Sequence, residues 1–251
     1  MAYIEDELVE QAIADFDSIK QEIIDNGVDV PYGTDTKEYN KFINQACQAQ
    51  YNKGYNENPY AAFKDIIQES LNHNPDVACS TFRNTVVDDI SLFDLSSLKV
   101  FSYIFENCER LTTININTDN AVLFNGGFKG CYNLESVTIS STSKVTSFDS
   151  MFSGCVALKS VFTALDLSNT TDIGDMFDSC IALEEIRFVE ETIMRSIDIP
   201  SSFLSDESIQ SIIGGLSSKT GGSLLVLHSD VIDSLTDEQW EAVSNKNWNI
   251  I

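Results

Sequence analysis

The chain has 251 residues, enough for one elongated domain or two small ones with a buried core. Its formal net charge of −24 excludes the basic surface that nucleic-acid binding requires and disfavours anionic lipid surfaces, so we predict no nucleic-acid partner. The acidic residues are scattered and serve either solubility or divalent-cation binding, although the sequence contains no EF-hand pattern.

The N-terminal end of the sequence, as given, is acidic and lacks the apolar core of a secretory signal peptide. No run of 18 apolar residues is present, so we expect no membrane insertion. These features fit a protein made without export or a trimmed sequence.

Residues 1–75 are predicted to form an N-terminal helical region. Gly27 ends the first helix, Pro31 marks the loop that follows, and two shorter helices are expected around 37–48 and 59–71. The apolar face of the first helix is formed by Leu8, Ala12, Phe16, Ile19 and Ile23. Two interpretations remain open for this region. It either covers one end of the domain that comes next or forms a homo-oligomer or assembly contact.

Residues 76–203 contain a repeat. The phrase Phe-x-x-Cys-x-x-Leu occurs four times, and its phenylalanines are 23, 24 and 25 positions apart. This spacing falls within the leucine-rich-repeat range of roughly 20–29 residues, and units of this kind bury their apolar sides by stacking. The four copies are Phe105-Cys108-Leu111, Phe128-Cys131-Leu134, Phe152-Cys155-Leu158 and Phe177-Cys180-Leu183. Phe82 and Phe203 are expected to mark degenerate first and last units.

Within each copy the apolar spacing changes from three or four residues to two. Up to the leucine, the spacing predicts a short helix or 3₁₀ turn, and after it the alternation predicts a strand. In the third copy Thr163 interrupts the alternation, which indicates an insertion or a shifted strand before Leu165. We therefore predict an α/β fold, a leucine-rich-repeat solenoid with parallel strands, one per coil.

Four of the six cysteines hold equivalent positions in the repeats. Such residues form a column whose Cβ vectors run side by side, which favours reduced structural thiols over disulfides. No closely spaced cysteine pair suggests a zinc site, and we predict no metal site.

Residues 204–251 are predicted to form a C-terminal cap. Ser205 begins a helix, Leu224 to Leu227 form a strand, and Thr236 with Gln239 form a capping box that opens a last helix. Trp248 to Ile251 then close the stack.

The strand alternation also predicts which residues point away from the core. We call this set the sheet face: Thr113, Asn115, Asn117, Ser136, Thr138, Ser140, Ser160, Phe162, Ala164, Glu185, Arg187 and Val189. Its central ladder is predicted to run Asn115, Thr138, Phe162, Arg187, flanked by Thr113, Ser136 and Glu185. This face is either a ligand-binding surface or an ordinary polar sheet surface with one exposed aromatic residue.

The residues show no catalytic constellation. His73 is explained by a helix end, and Ser229 and Asp230 beside His228 are sequence neighbours that cannot form a triad. The chain has no nucleophile elbow and no glycine pattern of the Walker or Rossmann kind. We predict that the protein is not an enzyme, and we predict no cofactor.

Residues 98–190 resemble the BspA-like leucine-rich repeats of bacterial surface proteins in period, cysteine position and change of spacing. The ending Asn245-Lys-Asn-Trp-Asn-Ile-Ile also resembles that of many such proteins. The stretch from Asp17 to Tyr39 resembles tail-associated proteins of phages that infect gut Firmicutes. The first resemblance implies adhesion at a bacterial cell surface or outside the cell, and the second implies a phage virion.

Two hypotheses result. The protein is a non-catalytic binding or adhesion protein whose sheet face takes a protein or glycan ligand. Alternatively, it is a structural assembly subunit of a phage tail or surface array, whose contacts are made by residues 1–75.

Overall fold

The computed structural model describes residues 81–219 and 223–251, together with Gln68 and Leu71, which are helical. The chain divides into two compact units, Met1–Glu69 and Ser70–Ile251. The expectations for residues 1–67, and those for His73, Cys47 and Cys79, lie outside the described residues. The described strands, and the helices between and after them, belong to the second unit.

Two parallel sheets run through this unit, with strand orders β1-β2-β3-β4 and β5-β6-β7. The strands of the first sheet are β1 Thr113–Ile116, β2 Ser136–Ile139, β3 Ser160–Leu165 and β4 Glu185–Phe188. Those of the second are β5 Ile197–Ile199, β6 Leu224–Leu227 and β7 Asn249–Ile250. Within residues 81–219 and 223–251, the helices are α1 Asp206–Gly215, α2 Ser229–Ser234 and α3 Asp237–Asn245. Parallel strands, one per copy of the repeat, confirm the predicted α/β repeat architecture.

Period-two alternation places the strands where the sequence predicts them. In β1, Ile114 and Ile116 are buried while Thr113 and Asn115 are exposed, and β4 has the same pattern. A parallel strand with one buried face requires this pattern, because successive side chains point to opposite sides.

The segment before each strand is a series of tight turns and not a continuous helix, so the expectation of a short helix is wrong. The expected 3₁₀-type turn is present only as isolated bonds between an N–H and the carbonyl three residues back. In the first copy, the N–H groups of Phe101, Tyr103, Phe105 and Asn107 donate to carbonyls of the following repeat. The N–H groups of Ile104, Glu106 and Cys108 donate instead to carbonyls three residues back in their own repeat. Alternate donors are therefore committed to the neighbouring repeat, and a helical ladder of N–H(i) to C=O(i−4) bonds cannot form.

The turns require left-handed backbone at fixed positions, two residues before and two after the repeated phenylalanine. These residues include Tyr103, Asn107, Gly126, Gly130, Ser150, Gly154, Asp175 and Ser179. Gly126 is at φ 57°, and a Cβ added there would lie 2.5 Å from Cδ1 of Tyr103. A residue with a side chain at this position would clash as well as strain the backbone. The local glycines thus serve turn geometry.

The repeated phenylalanines form a continuous stack in the core. Phe105, Phe128 and Phe152 succeed one another with ring centroids 5.5 and 5.6 Å apart, and Phe177 comes next at 5.7 Å. Phe82 joins this stack at 5.5 Å from Phe105, which confirms it as the first, degenerate unit. Phe203 was expected to end the stack and does not, because its side chain is 65% exposed. Instead, the ring of Phe188 packs against Phe177 at nearly a right angle, with the ring centroids 6.5 Å apart.

Helix α1 ends the first sheet at β4. Ser205 caps the helix by accepting the N–H of Ser208. The Ser208 hydroxyl accepts the N–H of Ile186 and donates to the carbonyl of Glu184, and the Ser211 hydroxyl accepts the N–H of Phe188. The backbone N–H and C=O groups at this edge of the sheet, which a fifth strand would otherwise bond, are therefore bonded to serine side chains of α1. Such groups need a hydrogen-bond partner because the helix shields them from water.

The remaining elements lie at the C-terminal end of the chain. Thr236 and Gln239 form the capping box of α3, and β7 pairs with β6. Val243 and Trp248 are buried, and the indole N–H of Trp248 donates to the carbonyl of Ser217. Strand β6 belongs to the second sheet and does not extend the first.

Candidate functional site

One row of the sheet face crosses the whole first sheet in register. Thr113 pairs with Ser136, Ser136 with Ser160, and Ser160 with Glu185. The row consists of two half-buried serines between an exposed threonine and an exposed glutamate. It presents hydroxyl groups and one carboxylate at the strand spacing of about 4.8 Å.

The predicted central ladder is interrupted, and this part of the prediction is corrected. Asn115 pairs with Thr138 as expected, but Arg187 pairs with Ala164 and not with Phe162. The register shifts in β3 between Val161 and Ala164, which leaves Phe162 and Thr163 outside the regular pairing. The insertion indicated by Thr163 is thus a β-bulge, a device that re-aims side chains and bends a strand.

The side chain of Thr163 holds the bulge in place. Its hydroxyl accepts the N–H of Ile139 at 3.0 Å and donates to the carbonyl of the same residue. In a regular sheet the backbone of β3 would bond the N–H and the carbonyl of Ile139. Here the Thr163 side chain bonds both groups instead. Phe162, next to this bridge, is 56% exposed on the sheet face.

The charged residues of the sheet face are exposed to solvent. Glu185 and Arg187 are both exposed, and neither side chain has an ion pair or hydrogen bond within residues 81–219 and 223–251. By contrast, Ser140 is held by Asn117 and Asp119, to both of which its hydroxyl is bonded. Polar side chains of the sheet face are therefore bonded to one another at Asn117 and Ser140, whereas the side chains of Phe162 and Arg187 are exposed to solvent.

The four repeated cysteines are free thiols and are fully buried, which confirms the predicted reduced column. Burial raises the pKa of Cys108 and of Cys180 to about 12, because desolvation penalises the thiolate. The pKa values of Cys131 and Cys155 are raised for the same reason. A nucleophilic cysteine needs a lowered pKa and access to solvent, so this column is structural.

Other candidate chemical groups have structural roles. Nδ1 of His228 accepts the N–H of Asp230 at 3.2 Å as the N-cap of α2. In the part of the chain that the structure describes, no three histidine, cysteine, aspartate or glutamate side chains are grouped to hold a metal ion. None of the helices described is both long and apolar enough to span a bilayer.

The structure also exposes an apolar surface that the sequence interpretation missed. Tyr132, Val156 and Ile181 directly follow three of the repeated cysteines, and all three are exposed. Phe203 is exposed too, and its chain neighbour Ser201 lies next to this series, since the Ser201 hydroxyl donates to the carbonyl of Ile181. We call Tyr132, Val156, Ile181 and Phe203 the lateral strip. Aligning the copies on the residue after the cysteine would have shown its first three members.

Comparison with known families bears on the repeat region. Residues 76–197 match the family model of the BspA type leucine rich repeat region, with 6 copies. The repeat region is similar to this type. The match confirms the BspA-like resemblance, and such repeats suggest a protein-interaction or adhesion role and are usually non-catalytic. No curated protein and no solved structure gives a significant match to the chain.

The resemblance of the N-terminal stretch to phage tail proteins has no support in these comparisons. That stretch lies outside the described residues, and the resemblance remains an interpretation of the sequence.

Proposed function

We propose that the protein is a non-catalytic binding protein that takes a protein ligand on the sheet face, around Phe162 and Arg187. The observation that carries the proposal is the bulge in β3, which directs Phe162 into solvent on the same face as the exposed Arg187. The proposal includes a continuous leucine-rich-repeat solenoid, whose sheet face is the surface such proteins offer to ligands.

An exposed phenylalanine in a polar surface is suited to anchoring a partner. Burying its ring would contribute about 1.5–3 kcal/mol, and the small neighbours Ser160 and Ala164 leave the ring accessible. Aromatic residues and arginine are enriched in interfaces, where they supply most of the binding energy from few positions.

Arg187 and Glu185 would add specificity. An exposed guanidinium group can form a bidentate bond with a carboxylate of the ligand, and Glu185 can accept from a lysine or arginine. Because both groups are already solvated and exposed, they would set the orientation of the ligand and the association rate more than the affinity.

The BspA-type match supports an adhesion role, and display at a bacterial cell surface is part of the proposal. The sheet face offers hydroxyl groups at regular spacing, so a glycan ligand is the alternative outcome of the test. The assembly-subunit hypothesis depends on residues 1–75 and gains nothing from the described residues.

The test is to probe printed arrays of purified extracellular proteins and of glycans with the full chain, and to measure the affinity of any hit. Phe162→Ala is expected to weaken binding about 10- to 100-fold, since each 1.4 kcal/mol corresponds to tenfold. Arg187→Ala is expected to weaken it further.

The matched control is Phe203→Ala, which removes a ring of similar exposure away from the sheet face. It should leave the affinity unchanged. Equal binding by the Phe162→Ala/Arg187→Ala double variant and the unaltered chain would remove the sheet face as the ligand site. A hit confined to the glycan array would replace the protein ligand with a sugar.

A further inference from the structure

Strand β3 contains two residues more than its pairing with β4 uses. Val161 and Ala164 pair with two residues that are consecutive in β4. The residues between them, Phe162 and Thr163, therefore have no partner position in that ladder. We call Phe162 and Thr163 the insert.

The sheet is regular on both sides of the insert. Before it, Ser160 pairs with Glu185, and after it, Leu165 pairs with Phe188. The inward side chains of β3, those of Val161 and Leu165, are both buried. Strand β4 alternates between exposed and buried residues without interruption. The insert therefore contributes no buried side chain to the core and leaves the next strand undisturbed.

Towards β2, the insert replaces backbone pairing with a side chain. Strands β2 and β3 pair in register at Val137 and Val161, just before the insert. Within the insert, the hydroxyl of Thr163 bonds both the N–H and the carbonyl of Ile139. Thr163 thus supplies the partners that the backbone of an uninterrupted β3 would have supplied to β2.

The insert does not stabilise the fold through burial. Holding two additional residues in one conformation loses backbone entropy. The Phe162 ring is 56% exposed, so much of its apolar surface stays in water. Bulges are frequent next to functional sites, where they re-aim a side chain. A departure from a regular pattern that brings no gain in stability is expected where function requires it.

We infer that the insert is a recognition element that the fold does not require. Phe162 contacts the ligand, and Thr163 is a positioning residue that holds the bulge through its two bonds to Ile139. This inference rests on the proposed function and adds a class of partner, a protein surface with an apolar pocket that accepts a phenyl ring. Without the insert, β3 would present Ala164 beside Arg187 and no aromatic side chain.

The first test deletes residues 162–163 and needs no ligand. The shortened β3 can pair with β2 and β4 through its backbone alone. We expect the urea midpoint of unfolding to equal or exceed that of the unaltered chain. We also expect the amide of Ile139 to remain protected from hydrogen exchange, because the backbone of β3 replaces the Thr163 hydroxyl. A lower midpoint, or faster exchange at Ile139, would show that the fold requires the insert.

The matched control deletes residues 137–138 from β2, a regularly paired strand of the same sheet. This deletion removes Val137, which is fully buried, and leaves one inward position of β2 without its apolar residue. We expect a clearly lower urea midpoint. An equal change in midpoint for the two deletions would mean that the insert is no more dispensable than the rest of the sheet, and would overturn the inference.

The second test measures the affinity of the variants for a ligand from the array of purified extracellular proteins. Deleting residues 162–163 is expected to weaken binding about tenfold or more. Thr163→Val, which keeps the Phe162 ring, should also weaken binding, and Thr163→Ser should bind more tightly than Thr163→Val because it keeps the hydroxyl. Each variant is first confirmed folded by circular dichroism. Equal affinities of Thr163→Val and Thr163→Ser would refute the positioning role.

Failure of the inference differs from failure of the proposed function. A ligand that Arg187→Ala weakens and the deletion of 162–163 does not would keep the sheet face as the site and overturn the role of the insert. An array without a protein hit would refute the proposed function and the recognition role together. The urea midpoints would still decide whether the fold requires the insert.

Discussion

The thiol of Cys131 donates a hydrogen bond to the carbonyl oxygen of Phe105, one repeat earlier, with Sγ and O 3.0 Å apart. The same carbonyl accepts the N–H of Cys108 in its own repeat. Equivalent thiol bonds join Cys108 to Phe82, Cys155 to Phe128 and Cys180 to Phe152. The repeated phrase therefore has a physical meaning: phenylalanine supplies a stacked ring and an acceptor, and cysteine supplies the donor to the preceding repeat.

Replacing Cys131 with alanine should destabilise the repeat region. The substitution removes the bond to Phe105 and leaves a small cavity in the core, which together cost about 1–3 kcal/mol in free energy of unfolding. Urea unfolding followed by fluorescence measures this change. Thr112→Ala, an exposed position in the adjacent part of the chain, should change it by less than about 0.5 kcal/mol. A loss of that same small size for Cys131→Ala would contradict the structural role of the thiol.

The buried thiols should make the fold sensitive to alkali. The folded pKa of Cys180 is raised to about 12, so the unfolded chain releases its proton at a lower pH than the folded one. The contribution of this thiol to stability is complete below the unfolded pKa near 9 and is lost as pH rises toward 12. Between pH 8 and pH 10, ionisation of each such thiol in the unfolded chain should lower the free energy of unfolding by about 1–2 kcal/mol.

The measurement is the free energy of unfolding in urea at pH 8 and pH 10 with a phosphine reductant present. The chain should lose stability between the two values, and Cys180→Ala should lose less. If the variant and the unaltered chain show the same decrease, lysine and tyrosine titration would explain it and the thiol would not.

Removing the hydroxyl of Thr163 should loosen the bulge. Thr163→Val keeps the shape and branching of the side chain but leaves the N–H and carbonyl of Ile139 without the partner they have in the structure. We expect a loss of about 1–3 kcal/mol in unfolding free energy. We also expect faster amide hydrogen exchange at Ile139. Thr113→Val, an exposed strand threonine, is the matched control, and equal effects of the two substitutions would count against the bridging role of Thr163.

The contacts of Glu191 predict a stability effect in acid. Lys246, together with the N–H and hydroxyl of Ser218, lowers the pKa of Glu191 to about 2. Its contribution is present above the unfolded pKa of about 4.5 and is lost as pH falls toward 2. Because the carboxylate is 41% exposed, solvent screening limits this contribution to about 1 kcal/mol.

The comparison that checks it is Glu191→Gln against the unaltered chain at pH 7 and pH 3. The difference in unfolding free energy should be larger at pH 7, and Glu190→Gln, the exposed neighbour, should show none. A difference that does not depend on pH would mean that shape, not charge, matters at this position.

Features set by local chemistry were predictable from the sequence. The alternation of Ile114 and Ile116 predicts the strand, and the hydroxyl of Thr236 with the amide of Gln239 predicts the start of α3. The thiol column was also predictable, since equivalent positions in stacked repeats must coincide.

Features set by neighbouring repeats were not predictable in this way. Apolar spacing of three or four residues suits both a helix and a series of turns, and the choice depends on acceptors more than 20 residues away, such as Asn125 for the N–H of Tyr103. The pairing of Arg187 with Ala164 depends on how many residues of β3 the bulge leaves unpaired. The sequence of β3 by itself does not give that number. Phe203 is exposed because the chain turns into α1 before another ring can stack.

The serine side chains of α1 have a consequence for molecules in concentrated solution. Since Ser208 and Ser211 already engage the backbone of β4, a strand from another molecule finds no open ladder there to continue. Fibre growth by end-to-end strand addition is thereby blocked at this terminus, and the block consists of two hydroxyl groups on a single helix.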